Sequence, residues 1–251
     1  MTFTSRLLES KVALITGANR GIGNSVLSVF AENGAEIIVC VRTLEEDFFL
    51  QIENLKLKFK VPIHVIVGDL TDFDNLKVNL NSKLKEIGKI DVLVNNAGVA
   101  HGGLLQMTQL SKIREVFELN FFAQINLIQV VSKYMIKQKS GSIINLSSVA
   151  GLDAYPGYIA YGSSKAALIY STKTLSKELA PYNIRINSVA PGLTDTNMAV
   201  QMEEKAKHKM INDSSMNRLA KPEEIANTVL YLASDLSSFI NGQTIRVDGG
   251  M

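Results

Sequence analysis

Seven short runs rich in β-branched residues recur along the chain: VALIT (12–16), EIIVCV (36–41), IHVIVG (63–68), DVLVNN (91–96), SIINLS (142–147), RINSVA (185–190) and QTIRVD (243–248). Each has the length of a strand, and most are apolar throughout instead of alternating. A strand of that kind has both faces covered, as in a parallel sheet held between helical layers. Helical candidates fill the intervals, at 21–33, 43–59, 72–87, 111–138, 158–180 and 222–234. Repeated strand–helix–strand units need right-handed crossovers, so the expected fold is α/β, a doubly wound parallel sheet with helices on both faces. With no proline or glycine linker, low-complexity tract or internal repeat, residues 1–251 read as one domain. The segment 194–218, TDTNMAVQMEEKAKHKMINDSSMNR, breaks the rhythm and suits either a substrate lid or a plain surface helix.

Composition narrows the function classes. Lys and Arg outnumber Asp and Glu by 26 to 24, a net charge of +2, which gives no basis for nucleic acid or a membrane surface as partner. No apolar run approaches the roughly 20 residues of a membrane span, and the opening MTFTSRLLESK lacks a secretory h-region. The expected location is the cytoplasm. Cys40, the single cysteine, lies in EIIVCV as a small buried hydrophobe. His64, His101 and His208 are too scattered to suggest a metal site by spacing, so no metal is expected.

The first strand runs into TGANRGIG (16–23) at the head of a helix. A glycine-rich turn there brings backbone N–H groups and the positive helix end onto a phosphate. Gly17, Gly21 and Gly23 stand where side chains would block that approach, although the spacing also fits a tight strand-to-helix connection. The second strand ends in Val41 and Arg42, so no acidic residue stands where NAD-preferring folds bind the ribose hydroxyls. Arg42, with Arg20 from the glycine turn, favours a 2′-phosphate and hence NADP(H), although both also read as solvated surface arginines. Asp69, in GDLTD, is placed either to accept from an adenine amino group or to form a turn with Thr71. Asn96, in NNAG (95–98), either borders a flat cofactor or forms a turn.

Beyond the fifth strand comes Ser148, thirteen residues before Tyr161. In the helical run YGSSK, Tyr161 and Lys165 lie one turn apart on the same face. A phenol ordinarily ionises near pH ~10, so acid–base work near neutrality needs about 4 kcal/mol of preference for the phenolate. A neighbouring ammonium is one source of it. Asn120, in the apolar helical run VFELNFFAQ, needs a partner, and its own helix carbonyls are one candidate.

TGANRGIG, NNAG, Asn120, Ser148, Tyr161 with Lys165, Pro191 with Gly192, and the terminal VDGG stand in the order and spacing of the short-chain dehydrogenase/reductase family, which the chain resembles over nearly its whole length. The resemblance implies a Rossmann-like sheet of seven parallel strands and an Asn120, Ser148, Tyr161, Lys165 catalytic set. It makes Tyr161 the acid/base, Lys165 the group that lowers its pKa and holds the nicotinamide ribose, Ser148 the orienter of the carbonyl, and Asn120 the support of a water chain. It lines the cofactor with Gly17, Asn19, Arg20, Gly21, Ile22, Gly23, Arg42, Asp69, Leu70, Asn96, Ala97, Gly98, Tyr161 and Lys165, and borders the nicotinamide with Pro191, Gly192 and Thr194. It also implies a homotetramer, with the long helices around 111–138 and 158–180 packing across one interface and the C-terminus contributing to another.

Within that family the chain is most similar to 3-oxoacyl-acyl-carrier-protein reductases, through LLQMT, KQKSGSIINLSS and the terminal NGQTIRVDGGM; VAHGG after the NAG segment departs from them. The implied substrate is a 3-oxoacyl thioester. An acidic acyl carrier protein would meet Lys137, Lys139 and Lys177, which otherwise read as solvated helix ends. The alternatives are another secondary alcohol (sugar, polyol or hydroxysteroid) and a non-catalytic nucleotide-binding sensor.

Overall fold

The computed structural model describes residues 6–200 and 204–251. Seven parallel strands form one sheet in the order β3-β2-β1-β4-β5-β6-β7. In chain order the elements are β1 (Val12–Thr16), α1 (Gly21–Glu32), β2 (Glu36–Val41), α2 (Glu46–Phe59), β3 (Ile63–Val67), α3 (Phe73–Ile87), β4 (Val92–Asn95), α4 (Leu110–Phe117), α5 (Ala123–Gln138), β5 (Gly141–Leu146), α6 (Ile159–Leu179), β6 (Ile184–Pro191), α7 (Asn197–Val200), α8 (Glu204–Asp213), α9 (Pro222–Ala233) and β7 (Thr244–Val247). The seven apolar runs are the seven strands, within a residue or two at each end.

Side chains alternate across each strand and sort the core into two layers. Ala13 and Ile15 of β1 pack with Val26, Leu27 and Phe30 of α1, Ile52 of α2, and Ile225, Val229 and Leu232 of α9. Val12 and Leu14 face the other way, toward Leu76, Leu80 and Leu84 of α3 and Leu127, Val131 and Met135 of α5. Because β1 lies between β2 and β4, the winding reverses there and opens a crevice past the strand ends. Cys40 is buried in the second layer, and burial pushes its thiol up to about 12. It is an inert core residue at neutral pH.

Two elements differ from their expected form. The helix anticipated over 111–138 is interrupted by a π-helical turn, Glu118–Phe122, between α4 and α5. Widened turns of this kind re-aim a single side chain, and here it is Asn120. Within the expected 194–218 segment lie α7 and α8; residues 201–203 fall outside the described residues. The base of that segment is tied to α9: Arg218 clamps Glu224 through two 2.7 Å bonds, and Glu224 caps the helix by accepting from the Lys221 N–H. Among the described residues no helix is long and apolar enough to cross a membrane.

Candidate active site

The first wall of the crevice is built from backbone. Gly17 and Gly21 adopt φ of +64° and +56°, in the left-handed region that favours glycine. A Cβ at Gly23 would stand 2.3 Å from the Gly17 carbonyl oxygen, so α1 reaches the strand end only because that atom is missing. Asn96 holds the turn from the next strand: its Nδ2 donates to the carbonyls of Thr16 (2.9 Å) and Gly17 (3.1 Å). The Asn96 side chain thus braces the glycine turn, which is neither of the two roles expected for it. Thr16 returns the support, its hydroxyl accepting from the Asn96 and Ala97 N–H groups at 3.0 Å. Arg20 gives α1 no side-chain cap, and its first turn carries no acidic residue, so the positive helix end is uncompensated from within. Asn19 and Ile22 are half-buried beside it, and Leu70 is buried at the end of β3.

Arg20 and Arg42 are both exposed. In the fold one carboxylate, Asp69, lies near enough to feel the charge of Arg42. β2 and β3 pair in register, Val41 opposite Val67, so their following residues lie side by side. Asp69 forms the turn foreseen as one of its two roles, its Oδ1 accepting from the Thr71 N–H (2.8 Å) and hydroxyl (2.7 Å). Those bonds hold its carboxyl below the usual range, and the charge of Arg42 lowers it further.

The opposite wall is built from side chains. Past β5, Ser148 accepts from the Ala150 N–H at 3.1 Å and caps a single 3₁₀ turn. The helix α6 lies directly on this turn through two glycines. A Cβ at Gly162 would come within 2.6 Å of the Ala150 carbonyl oxygen, and one at Gly151 within 2.8 Å of the Ala166 nitrogen. That close approach brings the Tyr161 phenol up to the Ser148 hydroxyl, which favours its ionised form. Tyr161 stays half-buried. Lys165, 4% exposed, donates to the Leu146 carbonyl at 2.7 Å and lies 5.9 Å from the Tyr161 ring centre.

The electrostatics of the pair are set by burial. Burial raises the Tyr161 phenol above its ordinary value, Ser148 offsets part of that rise, and Tyr158 adds to it. Burial also pulls the Lys165 amine down to about 8. The Lys165 ammonium is turned onto the Leu146 carbonyl, and desolvation is the largest influence on both groups.

Asn120 departs from the simplest reading too. It does not bond its own helix carbonyls: Oδ1 accepts from the Val99 N–H at 2.9 Å, and Nδ2 donates to the Val99 carbonyl (2.9 Å) and the Ser164 hydroxyl (3.1 Å). The π turn aims it at the segment after β4. A Cβ on Gly98 would sit 3.1 Å from Asn120 Oδ1 and 3.3 Å from Lys165 Nζ, so the NNAG backbone, Asn120 and Lys165 converge there. Pro191 ends β6, and Gly192 packs so tightly on the chain end that a Cβ would stand 2.8 Å from Asp248 Cα. Thr194 is buried and bridges to Ala220, while Thr196 covers Gly21, its Cγ2 3.2 Å from where a Cβ would be. Sequence alone does not single out Thr16, Ser164 or Thr196. A hydroxyl closing the apolar run VALIT was the one available signal among them.

The wall of missing side chains and the wall of hydrogen-bonded polar ones share one edge of the sheet, as an oxidoreductase of CH–OH and C=O groups with a nicotinamide dinucleotide requires. A family model described as Enoyl-(Acyl carrier protein) reductase matches residues 17–251, and the chain belongs to the short-chain dehydrogenase/reductase family. Among curated proteins it is 43% identical to the 3-oxoacyl-[acyl-carrier-protein] reductase FabG of Thermotoga maritima, over 97% of this chain and 98% of that one. The protein of the same name from Chlamydia muridarum is 37% identical, over 98% of both chains. Among solved structures, the 3-oxoacyl-[acyl-carrier protein] reductase of Brucella melitensis superposes with a TM-score of 0.88 at 31% identity, covering 98% of this chain and 93% of that one.

Proposed function

We propose that this chain reduces 3-oxoacyl thioesters, presented on an acyl carrier protein, to 3-hydroxyacyl thioesters with NADPH. The observation that carries the reading is the Ser148–Tyr161 hydroxyl pair beside the buried Lys165 at the crevice edge. The turn formed by Gly17, Gly21 and Gly23 sets the head of α1, with no acidic residue in its first turn, against the end of β1, where its N–H groups would hold the pyrophosphate. Bound there, the reduced nicotinamide supplies the hydride.

The two hydroxyls then do the protein's share of the chemistry. Charge builds on the carbonyl oxygen as its carbon is reduced, and Ser148 and Tyr161 donate to that oxygen from fixed positions. Tyr161 gives up its proton. Lys165 reaches toward the ribose and lends positive charge to the phenol once it leaves the Leu146 carbonyl. Asn120, fixed on Val99 and Ser164, supports the route by which the proton is replaced. Ala97, Gly98, Pro191, Gly192 and Thr194 frame the nicotinamide; Asp69 and Leu70 border the adenine. Arg20 and Arg42 receive the 2′-phosphate and set the preference for NADP.

The 194–218 segment serves as a lid within a single 1–251 domain. Lys137, Lys139 and Lys177 meet the acidic carrier, and the enzyme works as a cytoplasmic homotetramer. The relatives' names support the substrate class. A turnover assay with acetoacetyl thioester and NADPH tests the reading. An enzyme inert toward it but active on a sugar, polyol or hydroxysteroid ketone removes the thioester assignment, and cofactor binding with no turnover over a broad carbonyl panel leaves a nucleotide sensor.

A further inference from the structure

The last six residues touch three separate parts of the crevice wall. Gly249 and Gly250, at φ of +66° and +81°, turn the chain back under the 194–218 segment. The Ser214 hydroxyl donates to the Gly249 carbonyl (3.1 Å), the Ser215 hydroxyl to that of Gly250 (3.0 Å), and the Met216 N–H to that of Gly249 (3.1 Å). Gly192, at the exit of β6, packs on Asp248 and Met251. The third contact is Arg246. Its Nε holds Asp248 at 2.7 Å, one terminal nitrogen donates to the Met251 carbonyl at 3.0 Å, and it pairs with Asp153 at 2.9 Å. Asp248 in turn accepts from the Gly250 N–H at 3.0 Å, which locks the turn.

Asp153 lies in the loop between Ser148 and Tyr161. The loop leads through Tyr155 and Tyr158: their rings meet edgewise at a centre distance of 6.1 Å, and Tyr158 lies tilted against Tyr161 at 6.0 Å. Of the charges that bear on the Tyr155 phenol, three are the carboxylates of Asp153, Asp213 and Asp248, and one is the Arg246 cation. Asp213 ends α8, Asp248 follows β7, and Asp153 follows the serine turn. Without the cation, Asp153 and Asp248 would lose the partner they share.

We propose that Arg246 is a positioning residue for the acyl substrate: it straps the loop carrying Asp153, Tyr155 and Tyr158 to the chain end that also holds the base of the proposed lid. The strap couples the two walls that would close on the acyl chain, so it acts on substrate capture and leaves the glycine turn alone. The Arg246–Asp153 pair is exposed, and such pairs contribute little to global stability. Its effect is local geometry. The inference rests on the carbonyl-reductase reading for its substrate.

The test is a double-mutant cycle on the full chain with acetoacetyl thioester and NADPH. Arg246→Met and Asp153→Asn should each raise KM about 5-fold, with kcat and NADPH affinity within about 2-fold of wild type. The double variant should be no worse than the poorer single one, and Arg246→Lys should regain part of the loss. Additive losses, or an unchanged KM, would overturn the strap. Hydrogen exchange supplies a readout without turnover: in Arg246→Met, amides in 152–158 and 214–216 should exchange faster together, while those of α1 do not change. Faster exchange confined to 246–251 would overturn it as well. A wild-type enzyme inert toward every carbonyl would instead defeat the reductase reading, and the exchange experiment would still judge the strap.

Discussion

The two halves of the sheet solve opposite problems. From β1 to β3 the interior is almost wholly apolar: among the described residues, Thr16 and Ser25 are the only buried polar side chains before Asn95. The remainder threads polar groups through its core. Asn95 donates to Asn145 (2.9 Å), Asn145 to Thr172 (2.9 Å), Asn187 to the Ile240 carbonyl (2.8 Å) and Ser188 to Ser147 (2.7 Å), under the roof of Asn120, Ser164 and Lys165. Each buried polar group left without a partner would cost about 1–3 kcal/mol, so such a network specifies one arrangement. A phosphate is held by backbone, which needs room and no side chains. Moving a proton needs particular side chains at fixed positions.

If the halves divide the work in this way, substitutions should separate binding from chemistry. The largest separation is expected for Tyr161→Phe, which keeps the ring and removes the proton. It should lower kcat about 1,000-fold and leave NADPH affinity within about 3-fold, as steady-state kinetics and cofactor titration would read. A comparable fall in affinity would show that the two walls are not independent. On the other wall, Gly23→Ala sets a methyl group against the Gly17 carbonyl and Asn96. Overpacking of that kind costs about 1–3 kcal/mol; falling on the turn, it should weaken NADPH binding about 10- to 100-fold. The rate at saturating cofactor should change little.

The polar half should also reveal itself in stability against pH. The Lys165 amine is depressed from 10.5 to about 8 in the folded protein, so between those values the unfolded chain binds more protons than the native one. Its burial therefore costs most below about pH 8, and the cost is relieved as the pH rises toward 10.5. Relative to Lys165→Met, the wild type should gain about 2 kcal/mol between about pH 7 and pH 9.5, measured by urea unfolding of the protein without cofactor. A constant difference between the two proteins would mean that Lys165 keeps its proton when buried.

What the sequence disclosed follows the same division. Continuous apolar runs mark strands buried on both faces, so VALIT or EIIVCV is recognisable alone, and Gly17, Gly21 and Gly23 announce a backbone site by what they lack. Polar placement was harder to read. The run VFELNFFAQ has the periodicity of an unbroken helix, and nothing in it signals the π turn that lends Asn120 to Val99. The Lys165 bond to the Leu146 carbonyl and the Arg42 field on Asp69 arise where neighbouring elements end side by side. Those are properties of the assembled edge. Arg246 and Asp153 belong to the same class, their pairing set by the return of the chain end beneath the crevice.

The smallest expected effect sharpens the comparison at its most exposed point. Arg42 is solvated, so its bond to a 2′-phosphate competes with water and salt, and it shares the ends of β2 and β3 with the Asp69 carboxylate. Arg42→Asp should therefore move the NADPH-to-NADH preference by only about tenfold, near 1.4 kcal/mol, and less as salt is added. Asp69→Asn tests the cause of that modest value. Removing the competing charge should tighten NADPH binding about 2-fold at low salt, and the gain should vanish in the Arg42→Asp background. A gain that persists without Arg42 would mean that Asp69 acts on the cofactor directly, and the basic end of β2 would lose its claim to the phosphate.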